Sequence, residues 1–324
     1  LDQVLEAFHI IPDYDLDIMK QGQSLSDITT RVLKGLEEVI KEVKPDIILV
    51  HGDTTTTFAG ALAAFYQQVA IGHVEAGLRT YNKYSPFPEE MNRQFVGVMA
   101  DMNFAPTEQS KQNLIREGKN PDSIYVTGNT AIDALKLTVN QEYNDEITEW
   151  VGDDRLIVLT AHRRENLGEP MLRMFRAIRR IIDKYDDVKM VYPVHLNPLV
   201  VDAANKVFGD CDKIKLIKPL EVVEFHNLLS RSYLILTDSG GIQEEAPSLG
   251  KPVIVLRDTT ERPEGITAGT LKLAGTEEET IFRLVDELLC DEKEYERMSK
   301  ASNPYGDGHA SERIVDPIIE RFSK

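Results

Sequence analysis

Leu236-Thr237-Asp238-Ser239-Gly240-Gly241-Ile242-Gln243-Glu244-Glu245 decides how this chain is read, because an apolar run enters a Ser-Gly-Gly turn and leaves it as the start of a helix. Glycines let backbone approach an anion closely, the N–H groups of a first helical turn lack internal partners, and the helix dipole favours negative charge. A carboxylate one turn later, Glu244 or Glu245, suits the vicinal hydroxyls of a ribose. The stretch therefore predicts a strand–turn–helix unit that holds a nucleoside diphosphate; an ordinary strand-to-helix turn is the plainer reading of the same residues.

Composition narrows the partners. The chain has 324 residues, 42% hydrophobic and 28% charged, enough for two domains with substantial cores. A net charge of −17 argues against nucleic acid or an anionic membrane as partner. A small anionic ligand must then be held by local Arg, His and backbone N–H groups. Cys211 and Cys290 offer neither a disulfide framework nor metal-ligand spacing, so no metal is expected. No apolar run of about 18 residues occurs, and Leu1-Asp2-Gln3-Val4 does not begin a signal pattern, so a cytoplasmic protein is expected.

Short β-branched runs alternate with helix-period segments. Strands are expected at Asp46–Val50, Val69–Val74, Asp101–Ala105, Ile124–Gly128, Arg155–Thr160, Lys189–Val194, Lys213–Ile217, Tyr233–Thr237, Val253–Arg257 and Leu271–Ala274. Between them, apolar residues such as Leu25, Ile28, Val32, Leu33, Leu36, Val39 and Ile40 recur at i, i+3, i+4. This alternation predicts an α/β fold of parallel sheets covered by helices on both faces. Val139–Asp154 is polar, lacks a clear strand and reads as an interdomain region. The expected domains are 1–138, joined by a carboxyl-terminal helix at 309–324, and 150–308. Two doubly wound domains facing a cleft would bind ligand at the carboxyl ends of their strands.

The unusual residues stand at those ends: His51-Gly52-Asp53-Thr54, His73-Val74-Glu75-Ala76-Gly77, His162-Arg163-Arg164-Glu165-Asn166 and His195-Leu196-Asn197. Each also has a purely structural reading. Asp53 reads equally as the cap of a helix starting near Thr57. Glu89 and Glu90 follow Pro88 in a first helical turn, where the dipole favours acids regardless of function. His162 and His195 read as hydrogen-bonded core histidines, and Arg163 and Arg164 as a solvated patch. Their convergence on strand ends favours the functional reading.

Seven segments in order carry a family resemblance: HGDTTTT (51–57), GHVEAGLRT (72–80), SPFPEEMNR (85–93), TAHRREN (160–166), YPVHLNP (192–198), DSGGIQEEAPSLGKP (238–252) and RDTTERPE (257–264). Together they resemble the non-hydrolysing bacterial UDP-N-acetylglucosamine 2-epimerases across nearly the whole chain. The resemblance implies the glycosyltransferase-B architecture, two Rossmann-like domains with a final helix, here Ala310–Phe322, returning to the first domain. It implies an isomerase that interconverts UDP-GlcNAc and UDP-ManNAc without a cofactor, as a homodimer, supplying ManNAc for cell-surface polysaccharide.

The C2 proton of the sugar is not acidic, so direct deprotonation to a free carbanion is prohibitive. Elimination of UDP to a 2-acetamidoglucal and re-addition avoids it, and needs carboxylates around C2 and C1 plus donors for the departing diphosphate. By resemblance, Asp53, Glu75 and Glu89 match the family's catalytic acids and His162 its catalytic histidine. Ser239, Gly240 and Gly241 match the diphosphate cradle, Glu245 the ribose ligand, and Phe225 the residue whose backbone reads uracil. Gln23, Arg163 and His195 match a second, activating UDP-GlcNAc site, with Gly22 where some relatives carry Arg.

Relatives open with a strand and a Gly-Thr-Arg-Pro-Glu turn that this sequence does not contain, so the first domain is expected to lack its amino-terminal βα unit. Two other classes share the diphosphate site: a transferring or hydrolysing enzyme on the same fold, and a catalytically dead UDP-sugar sensor.

Overall fold

The computed structural model describes residues 2–323. Its ten strands are β1 (Ile47–His51), β2 (Ala70–Val74), β3 (Met102–Ala105), β4 (Ile124–Val126), β5 (Arg155–Thr160), β6 (Val188–Pro193), β7 (Ile214–Ile217), β8 (Leu234–Thr237), β9 (Val253–Val255) and β10 (Leu271–Leu273). They form two sheets, in the orders β1-β2-β3-β4 and β10-β9-β8-β5-β6-β7, and every pairing is parallel. The chain divides into two compact units. One comprises Ile10–Asp133 with Tyr305–Lys324; the other comprises the residues through His9 with Ala134–Pro304.

In the unit built on the four-stranded sheet, β1 pairs with β2 in the register Val50↔His73 and His51↔Val74, which brings the turns after both strands side by side. The helix Leu25–Val43 starts at Ser24 in a capping box: the Asp27 N–H donates to Ser24 Oγ at 3.1 Å, and the Ser24 N–H to Asp27 Oδ2 at 2.8 Å. It packs on the helix Thr55–Tyr66, whose buried Ala59, Gly60, Ala61, Ala63 and Ala64 allow close approach. The carboxyl-terminal helix Ala310–Phe322 buries Ile314 against Val74, Met102 and Phe104. Asp133 serves the start of that helix, accepting the N–H groups of Ala310 and Ser311 at 3.1 and 2.9 Å.

The six-stranded sheet is apolar on both faces, as a covered parallel sheet must be. Along β5, Ile157 and Leu159 enter one core with Met174, Phe175 and Ile178 of the helix Glu169–Lys184, while Leu156 and Val158 enter another with Leu228, Leu229 and Ala246. The strand order runs outward in both directions from β5 and β8, so the topological switch point lies between them.

The polar stretch read as interdomain contains a helix, Glu146–Val151. Asp145 caps it, accepting the N–H of Thr148 at 2.8 Å, while the Thr148 hydroxyl accepts the Asp145 N–H at 2.8 Å. No helix among the described residues is long and apolar enough to cross a membrane.

Candidate active site

The two units each carry a set of the expected residues. In the first, β1 ends at His51 and the chain turns through Gly52, whose φ of +69° lies in the left-handed region that glycine accepts. Its N–H donates to Val74 O at 2.9 Å, tying the turn after β1 to the end of β2. A Cβ on Gly52 would stand 2.9 Å from Glu75 Oε2, so the bare glycine makes room for that carboxylate.

Thr54, not Asp53, caps the following helix, with its hydroxyl oxygen accepting the Thr57 N–H at 3.1 Å. The Asp53 carboxylate is released from that duty and pairs with the buried guanidinium of Arg93; the Asp53 carbonyl accepts from Asn92 Nδ2 at 2.9 Å. Glu75 has φ +64°, a left-handed conformation that costs a non-glycine residue about 1–2 kcal/mol. Its carboxylate lies 3.8 Å from Arg93 and 3.4 Å from Asn129 Nδ2. Beneath them, His73 is fully buried and its Nε2 meets Gly52 O at 2.8 Å. Burial pushes its pKa down to about 3, so the neutral ring donates to that carbonyl and holds the turn.

The acidic pair at the next helix start divides its duties. Glu90 is buried and accepts the N–H groups of Thr80 and Tyr81 at 2.9 and 3.1 Å, which fixes the loop after β2. Glu89 is half-buried, and among the described residues no hydrogen bond or ion pair reaches its carboxylate. The dipole reading thus explains Glu90 poorly and leaves Glu89 available for chemistry.

In the other unit the switch point is organised by Asp238, fully buried at the end of β8. Its carboxylate accepts the N–H of His162 at 3.0 Å, the N–H of Arg163 at 2.9 Å and Asn166 Nδ2 at 3.1 Å. This one side chain ties the turn after β5 to the turn after β8. His162 stacks on His195, with ring centroids 5.6 Å apart and 12° between planes. Burial pushes His162 below the ordinary histidine value, with the Asp238 charge pulling the other way and the Arg163 and His195 charges adding to the depression. His195 Nδ1 accepts the Asn197 N–H at 3.0 Å.

The Ser-Gly-Gly turn follows. The Ser239 N–H is engaged, donating to Thr237 Oγ1 at 2.9 Å. The bonded helix begins with the Gln243 N–H to Gly240 O and the Glu244 N–H to Gly241 O, so the Gly240 and Gly241 N–H groups precede its first turn. Gly240 has a second reason to be glycine: a Cβ there would lie 2.6 Å from Arg262 Nη1. That guanidinium belongs to a buried network with Glu244 and Glu261, and Arg257 Nη1 donates to Glu261 at 3.0 Å. Burial opposes ionisation of Glu261, but the Arg262 and Arg257 charges overcome it and bring its carboxyl down to about 2. A bulkier residue at Gly240 would therefore displace Arg262 as well as crowd a phosphate. At Gly241 a Cβ would meet Glu245 Oε1 at 3.6 Å, an ordinary contact.

The structure separates the two ribose candidates. Glu244 is fully buried against Arg262, whereas the Glu245 side chain keeps 18% exposure and stands 3.8 Å from His226 Nε2. Burial raises the Glu245 carboxyl to about 7, opposed by Arg262. His226 Nδ1 meets Thr138 Oγ1 at 2.7 Å, and burial lowers that histidine to about 4. Phe225 lies inside the helix Val222–Arg231 with its N–H donating to Glu221 O at 2.8 Å and its side chain against the core. Gln23, in the first unit, has its amide oxygen occupied by the Lys20 N–H at 2.9 Å and Arg31 Nη1 at 3.2 Å. Gly22 has φ +74°, so an Arg at that position would be strained.

A sequence profile described as UDP-N-acetylglucosamine 2-epimerase matches residues 1–319. The chain belongs to the UDP-N-acetylglucosamine 2-epimerase family. An epimerase of this family from Bacillus subtilis (strain 168) is 66% identical over 322 residues, spanning 99% of this chain and 85% of the relative. Among solved structures, the S. aureus MnaA–UDP co-structure superposes with TM-score 0.96 at 57% identity, covering 100% of this chain and 87% of that one. The Neisseria meningitidis UDP-GlcNAc 2-epimerase bound to UDP-GlcNAc gives TM-score 0.92 at 49% identity, covering 98% and 88%. Family membership carries the isomerase class and the two-domain glycosyltransferase-B-like fold.

Proposed function

We propose that the chain interconverts UDP-GlcNAc and UDP-ManNAc by inverting C2. The observation that carries this reading is the pair of carboxylates, Asp53 and Glu75, at the ends of adjacent parallel strands on one buried guanidinium, with Glu89 one helical turn before that Arg93. A transferase or hydrolase on the same fold has less need for so many carboxylates around the sugar. In the proposed route a carboxylate takes the C2 proton, the C–H electron pair forms C1=C2, and the C1–O bond breaks with its electrons going to UDP. Re-addition of UDP to the 2-acetamidoglucal, with a proton delivered to the opposite face of C2, gives the epimer. His162 and the Gly240 and Gly241 N–H groups stabilise the departing diphosphate. UDP and UDP-GlcNAc bound in the S. aureus and N. meningitidis structures support this choice of ligand.

Incubation with UDP-GlcNAc followed by NMR tests it. UDP-ManNAc at equilibrium with substrate is expected; free sugar plus UDP points to hydrolysis, and unchanged substrate to a sensor. The proposal includes an activating UDP-GlcNAc met by Arg163 and His195, a cytoplasmic enzyme, and use of its product for cell-surface polysaccharide. Exposed Phe65, Tyr66, Phe95 and Val98, on the helices Thr55–Tyr66 and Glu89–Met99, support a homodimer.

Glu245 as the ribose ligand gives a pH prediction with a definite sign. The acceptor of ribose hydroxyl protons is the ionised carboxylate, and its pKa stands at about 7, so UDP affinity should rise as pH increases from 6 to 8. In Glu245→Gln that rise should vanish, and UDP should weaken by about 10-fold, as expected for lost hydrogen bonds to a charged group, with pyrophosphate affinity nearly kept. Calorimetry with both ligands checks this; equal losses for UDP and pyrophosphate would move the ribose contact elsewhere.

A further inference from the structure

Arg93 is the last residue of the SPFPEEMNR segment and has no role in the proposed proton transfers. We propose that Arg93 is a positioning residue for the epimerisation, holding the Asp53 and Glu75 carboxylates at fixed places relative to each other and to Glu89. The inference rests on the reading of those three as the reacting carboxylates.

The geometry is specific. Arg93 is 2% exposed, and one nitrogen of its guanidinium, Nη2, faces both carboxylates: it bonds Asp53 Oδ2 directly and lies 3.8 Å from Glu75 Oε2. Two carboxylates brought together at adjacent strand ends repel one another, and a cation between them removes that cost. The other guanidinium nitrogens, Nε and Nη1, are buried with no hydrogen-bond partner among the described residues. Ordinary structural arginines in a protein interior fill most of their donors, so this side chain is placed for its carboxylates rather than for general packing.

The same helix completes the arrangement. Glu89 and Arg93 are four residues apart on Glu89–Met99 and share its face, so a single rigid element carries the third carboxylate and the cation that holds the first two. Asn92, the neighbour of Arg93, grips the Asp53 carbonyl at 2.9 Å and fixes the backbone as Arg93 fixes the side chain. A misplacement of about 1 Å at a reacting group is enough to cost about 100-fold in rate. Moving the acid that returns a proton to C2 also gives the glycal time to escape.

Arg93→Met and Arg93→Gln test this, with Arg93→Lys as the conservative variant. Either neutral variant should lose at least about 30-fold in kcat while the affinity for UDP changes less than about twofold, and NMR should show 2-acetamidoglucal and UDP accumulating. Arg93→Lys should recover at least about tenfold of the kcat lost in the Gln variant, because an ammonium keeps the charge between the carboxylates. Two neutral variants are used so that one that folds poorly does not decide the outcome. Wild-type kcat in a neutral variant, parallel loss of kcat and UDP affinity, or a Lys variant no better than Gln would overturn the proposal. Failure of the underlying reading looks different: Asp53→Asn and Glu75→Gln would then themselves turn over at the wild-type rate.

Discussion

Asp53→Asn, Glu75→Gln and Glu89→Gln are each expected to lower epimerase turnover by about 100-fold or more, the usual contribution of a positioned proton-transfer group. UDP affinity should be largely kept, because the proposed nucleotide contacts lie on the Ser239–Gly241 turn and at Glu245. Glu89→Gln is the cleanest of the three, since no hydrogen bond or ion pair among the described residues is broken by it. Asp53→Asn also removes the charge partner of a buried Arg93, so its stability should be measured alongside its rate. Steady-state kinetics with calorimetric UDP binding separates the effects. Three near-wild-type variants would reduce this acidic cluster to a structural or binding role.

Asp238→Ala should be the most damaging single substitution at the switch point. It removes a fully buried carboxyl acceptor from the N–H groups of His162 and Arg163 and from Asn166 Nδ2, leaving three donors without it. Leaving a buried donor unsatisfied costs about 1–3 kcal/mol, and several are left at once, a large part of a domain's stability. Thermal or denaturant unfolding should show that loss, and turnover should fall with it because His162 is no longer held. Wild-type stability would mean that the turn after β5 is held by other contacts.

The sheets were legible because parallel strands covered on both faces must be apolar throughout, and that pattern survives in a single sequence. Arg155–Thr160 runs as expected, and Val253–Arg257 contracts to Val253–Val255 because the pairing with both neighbouring strands stops at Val255. The helix Glu146–Val151 was missed: at six residues its stripe of Ile147, Trp150 and Val151 spans barely more than one turn and is flanked by the polar run before it, although Asp145 and Thr148 at capping-box spacing mark its start. Strand-end residues were found because their types are unusual where they stand. Their holders were not, since Asp238 reaches partners more than seventy residues earlier and Arg93 reaches Asp53 forty residues earlier. Such pairings depend on sheet order and register, which local pattern does not encode. Glu244 shows the same limit: only its contact with Arg262 separates it from Glu245 as a ribose candidate.

Elimination and re-addition make one demand that hydride transfer at C2 and simple binding do not share. The C2 hydrogen leaves to a carboxylate that exchanges with solvent, and the proton that returns comes from that solvent pool. UDP-GlcNAc incubated with the enzyme in D2O and followed by proton NMR is therefore the most direct measurement. The account predicts UDP-ManNAc carrying deuterium at C2, with the C2 proton signal of the remaining UDP-GlcNAc fading as equilibrium is approached. UDP-ManNAc formed with its C2 hydrogen retained would contradict it.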